Sequence, residues 1–284
     1  MQYEVGQSGC LGSRDKFEGD ASDRRGSTIL AFFWLPIVLI GLLLGSFANV
    51  VVYRLPRGES VVRPRSHCLN CFRELSAFEN IPLLSWIVQK GRCRGCGTRI
   101  SARYPATELL VAGAFSYSFW MVGVHWSLFY VLIGDLVAIV ASEIDLGVHR
   151  IPNILLIWGL AVCLALIAMQ VFIGHKDHGI GKFFIAMVVS SGALYIIALI
   201  SGGGMGMGDV KLVGLLGAIS GLLGYGSVFM MLLSAFAIGS IFGIALILLK
   251  KAHRKSTVPF GPFIGAGFLV SQASYHFAPH LFGL

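Results

Sequence analysis

Eight apolar segments interrupted by one short polar insert predict a polytopic α-helical membrane protein. The insert falls between the first and second spans and reads as a small cytoplasmic zinc-ribbon-like unit. Three observations carry this fold class. The chain of 284 residues is 56% hydrophobic, and its mean hydropathy is +0.78. Only 13% of its residues are charged, against roughly 25% in a soluble domain. The apolar residues gather into segments near the roughly 20 residues needed to cross the hydrocarbon of a bilayer.

In chain order the spans are expected near 30–53, 105–122, 126–144, 152–173, 183–200, 210–223, 228–249 and 260–277. The sixth is short and glycine-rich, so the pattern sets its ends least sharply. This divides the chain into a polar N-terminal extension (1–28), a first transmembrane helix (29–53), the insert (54–104) and a seven-helix transmembrane unit (105–284). Residues 1–28 mix both charges (Arg14, Asp15, Lys16, Glu18, Asp20, Asp23, Arg24, Arg25). They lack a short basic lead into the apolar stretch, so a cleavable signal peptide is not expected, and the segment reads as mobile.

The net charge of +8 is unevenly placed. The insert region carries Arg54, Arg57, Arg63, Arg65, Arg73, Lys90, Arg92, Arg94, Arg99 and Arg103, and a second cluster comprises Lys250, Lys251, Arg254 and Lys255. With eight spans, all of these fall on one side, together with Arg150 and Lys211. The positive-inside rule makes that side cytoplasmic, and both termini extracytoplasmic. Topology accounts for the charge, and no recognition motif accompanies it, so no nucleic-acid partner is expected. The lipid bilayer is the expected surround.

Four of the six cysteines form two pairs, Cys68-x-x-Cys71 and Cys93-x-x-Cys96, with 21 residues between them. Each pair is a tight knuckle that aims two thiolates at one point, and two knuckles complete a tetrahedral sulfur site suited to structural zinc. Gly91, Gly95 and Gly97 supply the sharp turns of the second knuckle. Two disulfides are the competing reading, which a reducing cytosol disfavours. His67 adjoins Cys68 and reads as a solvated neighbour. The insert is short for a self-supporting domain, so a metal staple makes physical sense. Short hairpins around the knuckles and a helical turn near 82–88 are expected. Cys10 and Cys163 are isolated, and Cys163 reads as a small apolar residue within a span.

Two carboxylates stand out because ionisable groups at membrane depth are costly and usually functional. Asp145 ends the apolar stretch 128–144 and opens the loop that leads to Pro152. Asp209 follows the run Gly202-Gly203-Gly204-Met205-Gly206-Met207-Gly208. Each glycine costs a helix up to about 1 kcal/mol, so this run predicts an irregular, water-accessible entry to the sixth span. A glycine-rich packing face would explain the glycines but not Asp209 or Lys211. Pro152 suits the first turn of the fourth span. The aspartates are 64 positions apart, so two helix ends must converge to form one site. Two carboxylates held close share a proton. The ionised one activates water and the protonated one polarises a carbonyl, which is the chemistry of an aspartic protease.

Longer motifs carry a family resemblance from about Gly41 to the last span. The first span ends Gly45-Ser46-Phe47-Ala48-Asn49-Val50-Val51-Val52-Tyr53-Arg54-Leu55-Pro56. The insert contains Glu79-Asn80-Ile81-Pro82-Leu83-Leu84-Ser85-Trp86 and Gly91-Arg92-Cys93-Arg94-Gly95-Cys96, and closes on Arg103-Tyr104-Pro105 and Glu108-Leu109. Asp145 precedes Ile151-Pro152, and Gly206-x-Gly208-Asp209-Val210-Lys211-Leu212 forms a GxGD signature. In these motifs the chain resembles the type IV prepilin peptidases, bifunctional enzymes of the bacterial inner membrane. It departs from the common pattern at Asn153, where many members carry Asp.

The resemblance implies cleavage of prepilins and pseudopilins after a glycine, between a basic leader and an apolar helix, with Asp145 and Asp209 as the catalytic pair. Gly206, Gly208, Lys211 and Glu143 are the candidate substrate contacts, and Glu79 or Glu108 could also guide a basic leader. It further implies methylation of the new N-terminus with S-adenosylmethionine. No glycine-rich dinucleotide-type motif is present to bind that donor. Asn49, Arg54, Glu79, Asn80 and Glu108 are candidates for its site, although Asn49 and Glu108 are equally suited to satisfying polar groups between helices. Three other readings stand beside this one. They are a peptidase without methyl transfer, like the archaeal preflagellin peptidases that lack the cysteine insert, a cation-coupled transporter, and a non-catalytic scaffold. Oligomeric state is not legible.

Overall fold

The computed structural model describes residues 14–174, 179–200, 205–249 and 258–277, with side chains from residue 33 onward. The Lys250–Lys255 cluster, Cys10 and Gly202–Gly204 lie outside the described residues. The helices are α1 (Arg14–Arg54), α2 (Leu84–Val88), α3 (Arg103–Val122), α4 (Trp126–Val148), α5 (Asn153–Phe172), α6 (Ile180–Ile200), α7 (Met207–Leu223), α8 (Tyr225–Leu248) and α9 (Gly261–Phe277). Every expected span is a helix. Five segments are long and apolar enough to cross a membrane by length and composition: Phe33–Arg57, Trp126–Val148, Asn153–Phe172, Ile180–Ile200 and Tyr225–Leu248. The other three fall short for visible reasons. Helices α7 and α9 have 17 residues each, and α3 carries Arg103 and Glu108.

Two boundaries differ from expectation. Helix α1 reaches back to Arg14, so the backbone of residues 14–28 continues that of the first span. Once the apolar span has nucleated a helix, adding residues costs little, and no proline interrupts this stretch. Helix α4 runs past Ile144 to Val148. Pro152 disfavours helical backbone only at the residue before it, so the helix continues through Asp145 and stops at His149, which takes a left-handed conformation (φ 52°).

Helix α7 sits at the centre of the bundle, with nearly every residue from Asp209 to Leu223 buried. Its small residues explain how it fits there. A Cβ on Gly217 would lie 2.6 Å from Ser190 Cβ, and one on Gly221 would lie 2.3 Å from Ala186 Cβ, so α6 packs directly on the α7 backbone. Helices α1 and α3 meet by the same device. A Cβ on Gly41 would stand 2.7 Å from Ala112 Cα, and one on Gly45 would stand 2.7 Å from Glu108 Cα. This is the small-residue spacing that lets membrane helices approach closely. The outer faces are apolar, with Leu39, Leu43, Trp158, Val188, Ile196, Ile241 and Ile244 exposed as a lipid-facing surface requires.

The insert is built from two knuckles with the same backbone. Cys68 N–H donates to Arg73 O (3.0 Å) and Phe72 N–H to Cys68 O (2.9 Å). Cys93 N–H donates to Thr98 O (2.9 Å) and Gly97 N–H to Cys93 O (2.9 Å). The equivalent residues Phe72 (φ 56°) and Gly97 (φ 71°) both adopt the left-handed conformation the turn needs. Isolated bridges His67–Glu74 and Arg92–Arg99 are the expected hairpins, and α2 is the expected helical turn.

Candidate functional site

Asp145 lies in the last turn of α4, not in the following loop, and its carbonyl accepts the His149 N–H at 2.9 Å. Its carboxylate accepts the N–H of Gly261, the first residue of α9, at 2.9 Å. Asp209 occupies the first turn of α7, which Gly206 caps in an extended conformation, and its own N–H donates to Gly206 O at 3.1 Å. Both carboxylates therefore sit where helix N-termini present unpaired N–H groups, a setting that favours negative charge. Asp145 is 5% exposed and Asp209 9%, and the two interact electrostatically. The chain between α4 and α5 closes over this junction, since a Cβ on Gly208 would stand 3.1 Å from Ile151 Cβ.

The candidate substrate contacts separate into two groups. Gly206 and Gly208 adjoin Asp209, as the sequence predicts. A Cβ on Gly206 would lie in ordinary contact with Asp209 Oδ2, at 3.4 Å. Lys211 Nζ donates to Asn153 Oδ1 at 2.9 Å and so links α7 to α5. Glu143 accepts from Thr107 Oγ1 at 2.6 Å and pairs with Arg103 at 3.2 Å, tying α4 to the start of α3.

Sequence reasoning missed Gly261. Its contact with Asp145 spans 116 positions, and the only local signal was Pro259-Phe260-Gly261-Pro262, a helix-start pattern. A Cβ there would meet Asp145 Oδ2 at 3.0 Å and Cβ at 3.2 Å. Gly261→Ala is therefore expected to displace the carboxylate while α9 still forms. A misplacement of about 1 Å can cost on the order of 10²-fold in rate. Leader cleavage by this variant, measured beside its thermal stability, checks the expectation.

The four cysteine sulfurs Cys68, Cys71, Cys93 and Cys96 all lie within 4.8 Å of one another. Cys68 and Cys96 are 3.8 Å apart and Cys71 and Cys93 4.0 Å, with no disulfide among the described residues. A tetrahedron of sulfurs about 2.3 Å from a central zinc has edges of about 3.8 Å, so the donor set fits a metal ion. Backbone and side-chain donors already face the sulfurs. Gly95 N–H approaches Cys93 Sγ at 3.4 Å and Asn70 Nδ2 approaches Cys96 Sγ at 3.6 Å. His67 stays outside the group and stacks on Phe72.

A cavity of about 820 Å³ opens between the end of α1, the insert and the start of α3. Asn49, Arg54, Glu79, Asn80 and Glu108 all line it. Four of them also hold its walls. Asn49 Nδ2 donates to Tyr104 O at 3.0 Å, Arg54 Nη1 to Pro64 O at 2.8 Å and Ser60 O at 3.1 Å, and Leu83 N–H donates to Glu108 at 2.7 Å. Glu79 pairs with Arg73 at 2.5 Å and accepts the Ser76 N–H at 2.9 Å. Gln89 also lines the cavity, and its buried Oε1 has no hydrogen-bond partner among the described residues.

The Arg73 guanidinium, and then the Ser76 N–H, hold the Glu79 carboxyl near 2, below its ordinary 4.5. A lowered folded-state value means that this stabilisation is complete above about 4.5 and is lost as pH falls toward 2. Trp86 fluorescence of the insert is expected to report loosening across that window, and Glu79→Gln to flatten the response. An identical acid profile in the variant would remove Glu79 as the cause.

Fold and site together define an integral membrane protein with a carboxylate pair at one end of a helical bundle and a four-thiolate insert beside it. Two family models cover most of the bundle: the bacterial peptidase A24 N-terminal domain matches residues 39–122, and the type IV leader peptidase family matches residues 131–248. Proteins described as prepilin leader peptidase/N-methyltransferase are similar along most of the chain. The one from Aeromonas salmonicida (strain A449) is 35% identical over 263 residues, covering 82% of this chain and 88% of the relative. That of Bacillus subtilis (strain 168) is 33% identical over 243 residues, covering 83% and 92%. That of Pseudomonas aeruginosa is 32% identical over 267 residues, covering 84% and 89%. The chain belongs to the type IV leader peptidase family. No solved structure matches it.

Proposed function

We propose that this protein cleaves the basic leader from prepilins and pseudopilins after a glycine, and then methylates the new N-terminal amine with S-adenosylmethionine. The observation that carries the peptidase reading is the convergence of Asp145 and Asp209 at one end of the bundle. Asp145 is seated on the Gly261 N–H, and Asp209 on the first turn of α7. The pair shares one proton. Its ionised member takes a proton from water, which attacks the scissile carbonyl, and its protonated member hydrogen-bonds to the developing oxyanion. Glycine at 206 places no side chain beside the Asp209 carboxylate, where an extended substrate backbone would approach, and glycine at 208 lets Ile151 pack on the start of α7.

For methyl transfer, the support is the cavity beside the insert. Its volume falls in the range of small-molecule sites, and its rim combines aromatic faces (Tyr53, Trp86, Tyr104) with the five polar candidates. Zinc is the proposed metal of the four cysteines. Four thiolates leave no open coordination position, so the ion holds the two knuckles together and takes no part in chemistry. The proposed topology has eight spans in the bacterial inner membrane. The insert and both aspartates face the cytoplasm, and both termini lie outside.

Mass spectrometry of a co-expressed prepilin tests both activities. Loss of the leader with gain of one methyl group is the expected product. Cleavage without methylation would reduce the protein to a peptidase, and no cleavage by the folded protein would remove the reading.

A further inference from the structure

A third carboxylate, Asp135, lies in α4 ten residues before Asp145 and is 1% exposed. It makes a closed ring with two side chains from other helices. Ser118 Oγ of α3 lies 2.5 Å from Asp135 Oδ2 and 2.7 Å from Gln272 Oε1 of α9, and Gln272 Nε2 lies 3.0 Å from Asp135 Oδ1. Three contacts at hydrogen-bond distance need three protons. The Ser118 hydroxyl supplies one and the Gln272 amide supplies one, whichever way that amide is turned. The third can come only from Asp135. With an ionised carboxylate, one contact would set two acceptors against each other in a buried site, which costs more than the bond gains.

We infer that Asp135 is a neutral carboxylic acid whose proton closes a Ser118–Gln272–Asp135 ring, and that this ring positions α9 against α4 so that Gly261 meets Asp145. In the ring Asp135 donates to Ser118, Ser118 donates to Gln272, and Gln272 donates back to Asp135. Helices α4 and α9 are antiparallel, since Asp135 meets Gln272 while Asp145 meets Gly261. The two contacts are ten residues apart on one helix and eleven on the other, about 15 Å at 1.5 Å per residue. Gly134, next to Asp135, lies under Phe268, and between the two contacts Gly265 stands against Ser142 and Ala138, so the helices also touch within the interval. A shift at the ring is therefore transmitted to the Gly261 N–H. Asp135 is a positioning residue and does not touch substrate.

The activity arm rests on the peptidase reading, and a spectroscopic arm does not. Asp135→Asn keeps all three hydrogen bonds, because an amide N–H replaces the acid O–H. It is expected to cleave prepilin within about twofold of wild type. Ser118→Ala breaks the ring with little change of volume. It is expected to lose about tenfold in kcat for cleavage with KM little changed, while methylation of a pre-cleaved pilin is kept. In the infrared, wild type minus Asp135→Asn should show a protonated-carboxyl C=O band at neutral pH. Cleavage by Asp135→Asn as poor as by Ser118→Ala would overturn the inference, as would absence of that band. Wild-type cleavage by Ser118→Ala would overturn the positioning role. Failure of wild type to cleave would sink the peptidase reading, and the band would still decide the ring.

Discussion

Asp145→Asn and Asp209→Asn should each lower leader cleavage by about 10³-fold, the middle of the range for a lost general acid–base, with the protein folded and methylation of a pre-cleaved pilin intact. The substitutions are nearly isosteric, so Gly261 N–H still meets an acceptor at position 145, and the first turn of α7 keeps its cap. What is lost is the ability to exchange a proton with water. The two effects should not add, because a shared proton makes the pair one functional unit. The double variant should therefore resemble either single one. Wild type should give a bell-shaped cleavage profile whose limbs belong to the pair, not to one residue. Retained cleavage by a folded Asp145→Asn protein would refute the assignment. Loss of methyl transfer in the same variant would show that the two sites are not separable.

Removing the proposed zinc should have the next largest effect, and it should fall mainly on the other activity. Cys68→Ser or a strong chelator takes away an interaction worth on the order of 10 kcal/mol in small zinc modules. No sizeable apolar core backs up the polar contacts of the insert. Each knuckle is closed on itself by one isolated bridge, and Phe72, Phe78, Leu84 and Ile87 are exposed instead of packed in a core. Cys68 and Cys93 both line the 820 Å³ cavity, so a collapsed insert has no donor site. Methylation should fall below detection, while cleavage, whose aspartates sit on α4 and α7, should fall by less than tenfold. Metal analysis and the mass of the processed pilin read both outcomes. Equal loss of the two activities would place the insert in the peptidase site as well.

Much of this was legible in the sequence because each signal was local or carried by length. Apolar runs gave eight helices, and the CxxC spacing gave a sulfur tetrahedron. The GxGD run placed Asp209 at a helix start. Asp145 was found but set in a loop, because the apolar stretch ends at Ile144, whereas α4 runs on for one more turn to Val148 and stops at the left-handed His149. Gly261, Gln89 and the Asp135 ring were not legible. Each matters through a partner or an empty space that only the packed chain provides, and Asp135 hides in a stretch that otherwise reads as a plain span. Lys211 and Glu143 were singled out for charge beside the aspartates, whereas their partners are Asn153, Thr107 and Arg103.

The close seam of α1 on α3 has a consequence for how the insert relates to the rest. The chain leaves the bundle at Arg54 and re-enters at Arg103, and these two doorposts are already fixed side by side, through Gly45 on the Glu108 backbone and Asn49 on the Tyr104 carbonyl. Whatever hangs between them adds a closed loop to a frame that does not need it, and loop length by itself costs little. The insert is thus a cassette. A short flexible bridge in its place should leave the eight helices standing, and a foreign knuckle could be hung from the same posts.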